Sequence, residues 1–369
     1  MRPLTIGYFP YNPGANPYQR LFAEALESAG AVVQRIPPRK LFPLQHAAAQ
    51  EIDLLQLDWP HDWYQGRNVW TRIVKRSMYR DGLRRLRAAP VVWTAHNLHG
   101  HDAADMADEH RMIQALIDVC DGIIVLSNAA AALLQQAYRV GSSTRVRVIH
   151  HGHYIDCYPN TIFRQAARER LSLQDHHRVV LSLGRLQPYK GLEDLIESFC
   201  TVGSPGDVLI LAGTAVNHQF AVHLRELAAA RDKPGLRVDI HPEQIPDDAL
   251  QVYFNACDLV ALPFRKILSS GSLLLAMSFG CPVVAPRLGS IPEVACPEGW
   301  FDYDAANPRG LAEALSKAMV AAASSDLRPQ IRAFTASRYG WDSVGAKAVQ
   351  LYRAILGDTS KSAASSVRD

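Results

Sequence analysis

Apolar residues in this chain come in short runs separated by amphipathic stretches, an alternation that predicts strand and helix in turn. Leu4–Phe9 reads as a first strand, followed by a loop with Pro10, Asn12, Pro13 and Gly14. A helix from about Pro17 carries Leu21, Phe22, Ala25 and Leu26 on its inner face and ends at Gly30. Strands are expected at Ala31–Ile36, Ile52–Leu57, Val91–Thr94, Gly122–Leu126 and Val146–Ile149, with a helix at about 108–120 and another behind the N-capping pair Ser127-Asn128. After a polar connection, Tyr158 to His177, holding one short helix, the rhythm restarts. Strands are expected at Val179–Leu183, Val208–Ala212, Leu236–Ile240, Leu259–Pro263 and Pro282–Ala285. Helices are expected from Lys190-Gly191, at His218–Ala230, Asp247–Asn255, Leu273–Phe279 and Leu311–Ala322, and finally at Trp341–Leu356. The remainder from Gly357, rich in Ser, Ala and Lys, reads as a flexible tail. The fold class is α/β with parallel sheets, which place ligands at the C-terminal ends of their strands.

The stretch Leu181–Phe199, LSLGRLQPYKGLEDLIESF, carries the clearest chemistry. Gly184 breaks the strand, and Leu192, Leu195, Ile196 and Phe199 form one helical face. Arg185 and Lys190 stand between strand and helix, at a helix start whose backbone N–H groups are also free. A point charge, a forked guanidinium and oriented amides together suit a diphosphate. The same spacing would also fit an ordinary loop with two solvated cations.

In the first half, the strand at Ile52–Leu57 delivers Asp58-Trp59-Pro60-His61-Asp62-Trp63-Tyr64 to a ligand-facing position. The cluster is either a binding platform or a partly buried aromatic patch. The next strand end delivers His96, Asn97, His99, His101 and Asp102. These histidines lack a further ligand at a recognisable metal spacing, so no metal is expected. A general base or sugar-binding loop fits better, with Asp102 taking a hydroxyl proton and a neighbouring histidine orienting it or sharing the role. His150, His151 and His153 read as part of a hinge loop.

Charge changes the picture at one place. Residues 67–87 hold Arg67, Arg72, Lys75, Arg76, Arg80, Arg84, Arg85 and Arg87 against the single acid Asp81, with Trp70, Ile73, Val74, Met78 and Tyr79 interleaved. A basic helix of this kind fits an anionic membrane surface; a solvated helix face is the alternative. The whole chain of 369 residues carries a net charge of only +3, which argues against nucleic-acid binding. Its six cysteines form no C-x-x-C pair and read as reduced core residues of a cytoplasmic protein. MRPLTIGYFPYNP reads as a strand entering a turn rather than a signal peptide, and no apolar run reaches membrane-spanning length.

Four segments in order resemble the donor domain of GT-B-fold glycosyltransferases, in particular the family of retaining sucrose and lipid glycosyl transferases. They are LSLGRLQPYKGLEDLIESF, Leu209–Gly213, Asp258–Pro263 and LLLAMSFGCPVVAPRLGSIPEV. The resemblance implies two Rossmann-like domains facing each other across a cleft: residues 1–165 for the acceptor and 175–338 for a nucleotide-sugar donor. Helix 339–356 would cross back to the first domain, before the tail at 357–369. It further implies that Gly184, Arg185 and Lys190, with backbone amides around Ser270, Gly271 and Ser272, hold the donor diphosphate. His241 to Ile245 would lie against the base, and Gly289 to Glu293 would close over the sugar-phosphate end. The family's two glutamates, eight positions apart, are replaced here by Ile267 and Leu275. Sugar and ribose contacts would then fall to Ser270, Ser272 or Glu293.

Asn16-Pro17-Tyr18, Asp58-Trp59-Pro60, Thr94–His99 and Ser270-Gly271-Ser272 are similar to xanthan-type β-mannosyltransferases of bacterial exopolysaccharide assembly. That likeness implies an inverting, metal-independent transfer onto a polyprenyl-diphosphate-linked oligosaccharide, at the inner face of the membrane. GDP-mannose is the first donor expected, ahead of UDP-glucose and UDP-glucuronate. Asp102 is the first candidate base, then His96, then Asp62. Asn12, Trp59, His61, Trp63, Asn97 and His99 are acceptor candidates. The basic segment, through Arg72, Lys75, Arg76, Arg80, Arg84 and Arg85, would bring the enzyme to the lipid. Two other readings fit the same residues: a retaining transferase using a UDP-sugar, and a non-catalytic subunit that binds a nucleotide sugar or glycan.

Overall fold

The computed structural model describes residues 2–12, 14, 16–39, 43–66, 68–86, 89–98, 106–324 and 327–366. The chain divides into two compact units, Met1–Gly152 with Tyr339–Asp369, and His153–Arg338. Asp102 and His99 lie outside the described residues.

The first unit runs β1 (Leu4–Phe9), α1 (Tyr18–Ser28), β2 (Ala31–Arg35), α2 (Pro43–Ala48), β3 (Leu54–Leu57), α3 (Val69–Arg85), β4 (Val91–Ala95), α4 (Met106–Ile117), β5 (Gly122–Val125), α5 (Asn128–Ala137) and β6 (Arg145–Val148). Its six strands form a sheet in the order β2-β1-β3-β4-β5-β6, with every pairing parallel. The apolar strand residues Ile6, Val33, Leu54, Val92 and Ile124 pack with Phe22 and Leu26 of α1 and with Val344, Val349, Tyr352 and Ile355 of the closing helix, Trp341–Ser366. That helix meets α1 closely: a Cβ on Gly345 would stand 2.1 Å from the Ala25 carbonyl oxygen. Expected to end near Leu356, it runs on to Ser366.

The second unit runs α6 (Arg164–Arg170), β7 (Arg178–Leu183), α7 (Leu192–Val202), β8 (Asp207–Ala212), α8 (His218–Ala230), β9 (Arg237–His241), α9 (Leu250–Ala256), β10 (Leu259–Ala261), α10 (Gly271–Ser278), β11 (Val283–Pro286), α11 (Ile291–Val294), β12 (Trp300–Tyr303), α12 (Gly310–Ser324) and α13 (Arg328–Arg338). These strands form a parallel sheet in the order β12-β11-β10-β7-β8-β9. Leu192, Leu195, Ile196 and Phe199, the predicted inner face of α7, are fully buried against Val180, Leu209 and Leu259. Burying such a side chain contributes about 1.5–3 kcal/mol, so this face alone fixes the helix on the sheet. Both units are three-layered, and in both the chain delivers its polar loops to the C-terminal strand ends.

Candidate active site

In the second sheet β7 is the central starting strand; β8 and β9 extend to one side, β10, β11 and β12 to the other. The strand order reverses between β7 and β10, the place where open parallel sheets bind ligands. Gly184 follows β7 with φ 128° and Gly213 follows β8 with φ 129°. A Cβ on Gly213 would stand 2.3 Å from the Gly184 carbonyl oxygen, so the two loops touch backbone to backbone. A Cβ on Gly184 would stand 2.6 Å from the Lys190 Nζ and 3.6 Å from the Ser272 hydroxyl. Lys190 and Ser272, distant in sequence, therefore converge over Gly184.

Lys190 is 8% exposed, yet its ammonium has no hydrogen-bond or carboxylate partner among the described residues. The Phe264 ring lies alongside it, with its centroid 5.9 Å away. Burial, and secondarily the charge of Arg185, push the amine down from 10.5 to about 8. Arg185 is exposed and likewise has no partner among the described residues. Arg265 behaves oppositely. Its guanidinium is fully engaged by both oxygens of Asp194 at 2.8 Å and by the Pro188 carbonyl, so it braces the turn carrying Lys190. Sequence reading overlooked this brace, which becomes visible only when β10 is placed beside β7.

Ser270 is the N-cap of α10; its hydroxyl oxygen accepts the Leu273 N–H at 3.0 Å. Its side chain holds the helix, while the Gly271 and Ser272 N–H groups have no intrahelical partner. Glu193 and Asp194 occupy the first turn of α7 as the helix dipole favours. The Ser290 N–H donates to the Leu268 carbonyl at 3.1 Å, and a Cβ on Gly289 would stand 2.2 Å from the Ile267 oxygen. The loop Gly289–Glu293 is thus tied to the segment entering α10, with Glu293 half-buried in α11. His241 ends β9; its ring Nδ1 lies 2.9 Å from the Tyr253 hydroxyl, and its carbonyl accepts the Gly213 N–H. Ile245 lies half-buried in the following loop.

In the first sheet the order reverses between β1 and β3. There Asp58 is completely buried. It accepts the Tyr8 hydroxyl at 2.5 Å and lies 3.3 Å from His96 Nε2. Burial and the adjacent carboxylate raise Tyr8 well above its ordinary range, so it stays a neutral donor. Gln56 donates to Thr94 at 2.7 Å and accepts the Tyr352 hydroxyl of the closing helix at 2.7 Å. Trp59 adopts a left-handed φ of 39° and stacks on His96, centroids 4.3 Å apart, while Tyr18 meets the same imidazole edge-on at 4.6 Å. His151 adjoins Tyr18 at 4.7 Å, and burial pushes its ring down to about 4.

Other acceptor candidates disperse. Trp63 is buried and stacks on Phe9, and His61 lies 2.7 Å from both Glu109 and the Tyr64 hydroxyl. Asp62 is exposed, and its carbonyl accepts the Lys75 amine at 2.9 Å. Asn12 is exposed and Asn97 half-buried.

Helix α3 is closed at its start by a capping box between Asn68 and Thr71. Several of its cations are occupied: Arg76 pairs with Asp108, Arg85 with Asp81 at 2.9 Å, and Lys75 with Asp62. Arg72 is half-buried; Arg80 and Arg84 are exposed. Its first half instead presents Val69, Trp70, Ile73 and Val74 outward, with Trp70 78% exposed.

Among the described residues no group of three His, Cys, Asp or Glu side chains converges to hold a metal ion. A cavity of about 640 Å³ opens at the opposite end of the second sheet, between Arg164, Arg178, Asp258 and Arg328. Its Arg164 and Arg178 are already paired with Asp258 and Asp207.

Residues 177–320 match the model of the family "Glycosyl transferases group 1". A GDP-mannose:glycolipid 4-beta-D-mannosyltransferase of Xanthomonas campestris pv. campestris is 28% identical over 360 residues, covering 94% of this chain and 90% of that one. Among solved structures, sucrose-phosphate synthase from Thermosynechococcus elongatus superimposes with a TM-score of 0.73 at 20% identity, over 96% of this chain and all of that one. Anabaena HepE in complex with UDP and glucose gives 0.73 at 18% identity, over 95% of this chain and 100% of its own.

Proposed function

Starting from a chain that is a GT-B-fold glycosyltransferase, with its residues 177–320 belonging to group 1, we propose that it transfers mannose from GDP-mannose to a lipid-linked oligosaccharide. The transfer inverts the anomeric centre and serves exopolysaccharide assembly. The observation that carries the donor half is the buried, unpartnered ammonium of Lys190. The side chain keeps little contact with water and has no protein partner among the described residues, and a diphosphate would supply one. Arg185 adds a forked donor at the rim, and the Gly271 and Ser272 amides add two more at a helix N-terminus. These groups stabilise the leaving GDP, whose negative charge grows as the sugar–oxygen bond breaks. Mannose, the glycolipid and the β outcome come from the Xanthomonas relative, whose name states all three.

The acceptor hydroxyl attacks the anomeric carbon on the face opposite GDP and gives its proton to a base of the first unit. The acceptor is lipid-linked, so the enzyme works at the cytoplasmic surface of the membrane. No helix among the described residues is long and apolar enough to cross it. The outward Val69, Trp70, Ile73 and Val74 of α3, flanked by Arg80 and Arg84, suit peripheral insertion between headgroups. The replacement of the family's glutamate positions by Ile267 and Leu275 favours this reading over a retaining UDP-sugar transferase.

The test is transfer from radiolabelled GDP-mannose to a synthetic polyprenyl-diphosphate oligosaccharide, with the product's anomeric one-bond C–H coupling read by NMR. A β-mannoside made only from GDP-mannose supports the proposal. An α-linked product, or transfer only from UDP-glucose, would replace it with the retaining alternative.

A further inference from the structure

We propose that Asp58 is the positioning carboxylate for His96, and that His96 is the base that deprotonates the acceptor; this rests on the glycosyl-transfer reading above. Asp58 follows β3 and His96 follows β4. The register Leu57↔Trp93 brings the two strand ends side by side. The carboxylate is completely buried: one oxygen accepts the Tyr8 hydroxyl at 2.5 Å, and the other faces His96 Nε2 at 3.3 Å and accepts the Gln56 amide at 3.4 Å. Burial keeps the Tyr8 proton on its oxygen, and towards the carboxylate, which can only accept, Tyr8 is the donor. With Tyr8 on one oxygen, the other accepts from the imidazole, so the ring proton sits on Nε2. The lone pair of the neutral ring then lies on Nδ1, and this atom takes the proton.

The ring plane is fixed as well, stacked on Trp59 at an interplanar angle of 16° and met edge-on by Tyr18. An imidazole held in one tautomer and one plane, backed by a buried carboxylate, is the general arrangement for accepting a proton and stabilising the imidazolium that forms. In the transfer the acceptor oxygen bonds to the anomeric carbon and the bond to GDP breaks. GDP leaves with the electron pair, and the hydroxyl proton ends on His96. Neither the motif comparison nor the spacing of the histidines assigned a role to Asp58, because its contact with His96 exists only across two strands.

Long-range ¹H–¹⁵N correlation of histidine-labelled protein at pH 8 tests the tautomer directly, with the His96 signals assigned by loss in His96→Gln. The expected result is a protonated Nε2 and a pyridine-type Nδ1 in the wild type. In Asp58→Asn, Tyr8 keeps the side-chain oxygen and the amide turns its N–H to Nε2, so the proton moves to Nδ1. Transfer should then fall about a hundredfold or more in kcat, with the stabilisation by GDP unchanged. The double variant Asp58→Asn/His96→Gln should be no slower than His96→Gln alone, since the two act as one unit.

A wild-type ring protonated on Nδ1 overturns the proposal, and so does an Asp58→Asn enzyme of normal kcat or additive losses in the double variant. If Asp58→Asn does not fold, the wild-type tautomer still decides. Absence of transfer from GDP-mannose beside an Nε2-protonated His96 would sink the donor assignment, not the pairing.

Discussion

Replacing Lys190 by methionine separates the cost of the candidate donor site from its use. In the folded protein burial pushes the amine from 10.5 to about 8. At about 1.4 kcal/mol per pH unit, holding the charged form in place costs the ligand-free protein about 3 kcal/mol. Below pH 8 both folded and unfolded chains carry the proton, and the folded state bears the whole cost. Between pH 8 and 10.5 the unfolded chain binds more protons than the folded one, so stability rises with pH. Above 10.5 the difference is gone. Lys190→Met keeps the volume of the side chain and removes the charge, so at pH 7 it should be more stable than the wild type by about 2–3 kcal/mol. The gap should shrink as pH rises from 8 towards 10.5.

The same variant should lose the stabilisation by GDP, which in the wild type at about a hundred times its dissociation constant is roughly 2.7 kcal/mol. Chemical denaturation at several pH values, with and without GDP, measures both effects. A methionine variant less stable than the wild type at pH 7, with a gap that ignores pH, would show that the ammonium is satisfied and refute the argument.

Arg185→Ala should weaken GDP binding with little change in melting temperature, because the side chain is exposed and unpartnered among the described residues; titration calorimetry and thermal unfolding check the two halves. Gly213→Ala forces a side chain to a φ of 129° and 2.3 Å from the Gly184 oxygen; a loss of about 3 kcal/mol or more is expected in denaturant unfolding. His151 sits neutral in the fold at pH values where the unfolded chain takes up a proton, so stability should fall as pH drops from 6.5 to about 4. Allowing for the ring's partial exposure, this loss is about 1–2 kcal/mol, and His151→Gln should flatten that part of the pH curve. Trp70→Ser with Ile73→Ser should leave stability within about 0.5 kcal/mol but abolish flotation with anionic vesicles at 0.5 M salt, where purely electrostatic attachment is already screened.

The strand–helix rhythm was legible because most of the strands are short apolar runs, several of them bounded by Gly or Pro, and because α7 and α8 carry clean helical faces. Less was legible where tertiary partners replace local signals. The helix α13, RPQIRAFTASR, is polar by composition, yet Arg328 is drawn inward by the carbonyls of Phe254, Cys257 and Phe279. The strand β12 is four residues long and is recruited by its pairing with β11. The short helices α2 and α11 likewise carry too few residues to show a period. For α3 the one-sided charge could be read from sequence, but the engagement of Lys75, Arg76 and Arg85 could not. It depends on Asp62 and Asp108 from outside the helix as well as on Asp81 within it. At the candidate donor site, Gly184, Arg185 and Lys190 were readable as a phosphate loop. That Ser272 joins them was implied by the resemblance alone; its approach to Gly184 depends on β10 lying beside β7.

The two sheets offer opposite electrostatic conditions at equivalent places. At the reversal point of the first, the buried charge is Asp58, and Tyr8 and His96 already answer it. At the reversal point of the second, the buried charge is Lys190, and no described residue answers it. A satisfied network gains little from a ligand and stays ordered without one, whereas an unsatisfied ammonium improves sharply when an anion arrives. Binding energy should therefore concentrate on the diphosphate, while the groups around His96 contribute orientation. In the proposed transfer this division would suit catalysis: contact with the leaving group would grow as its charge develops, and a pre-set base would need no reorganisation when the hydroxyl proton moves.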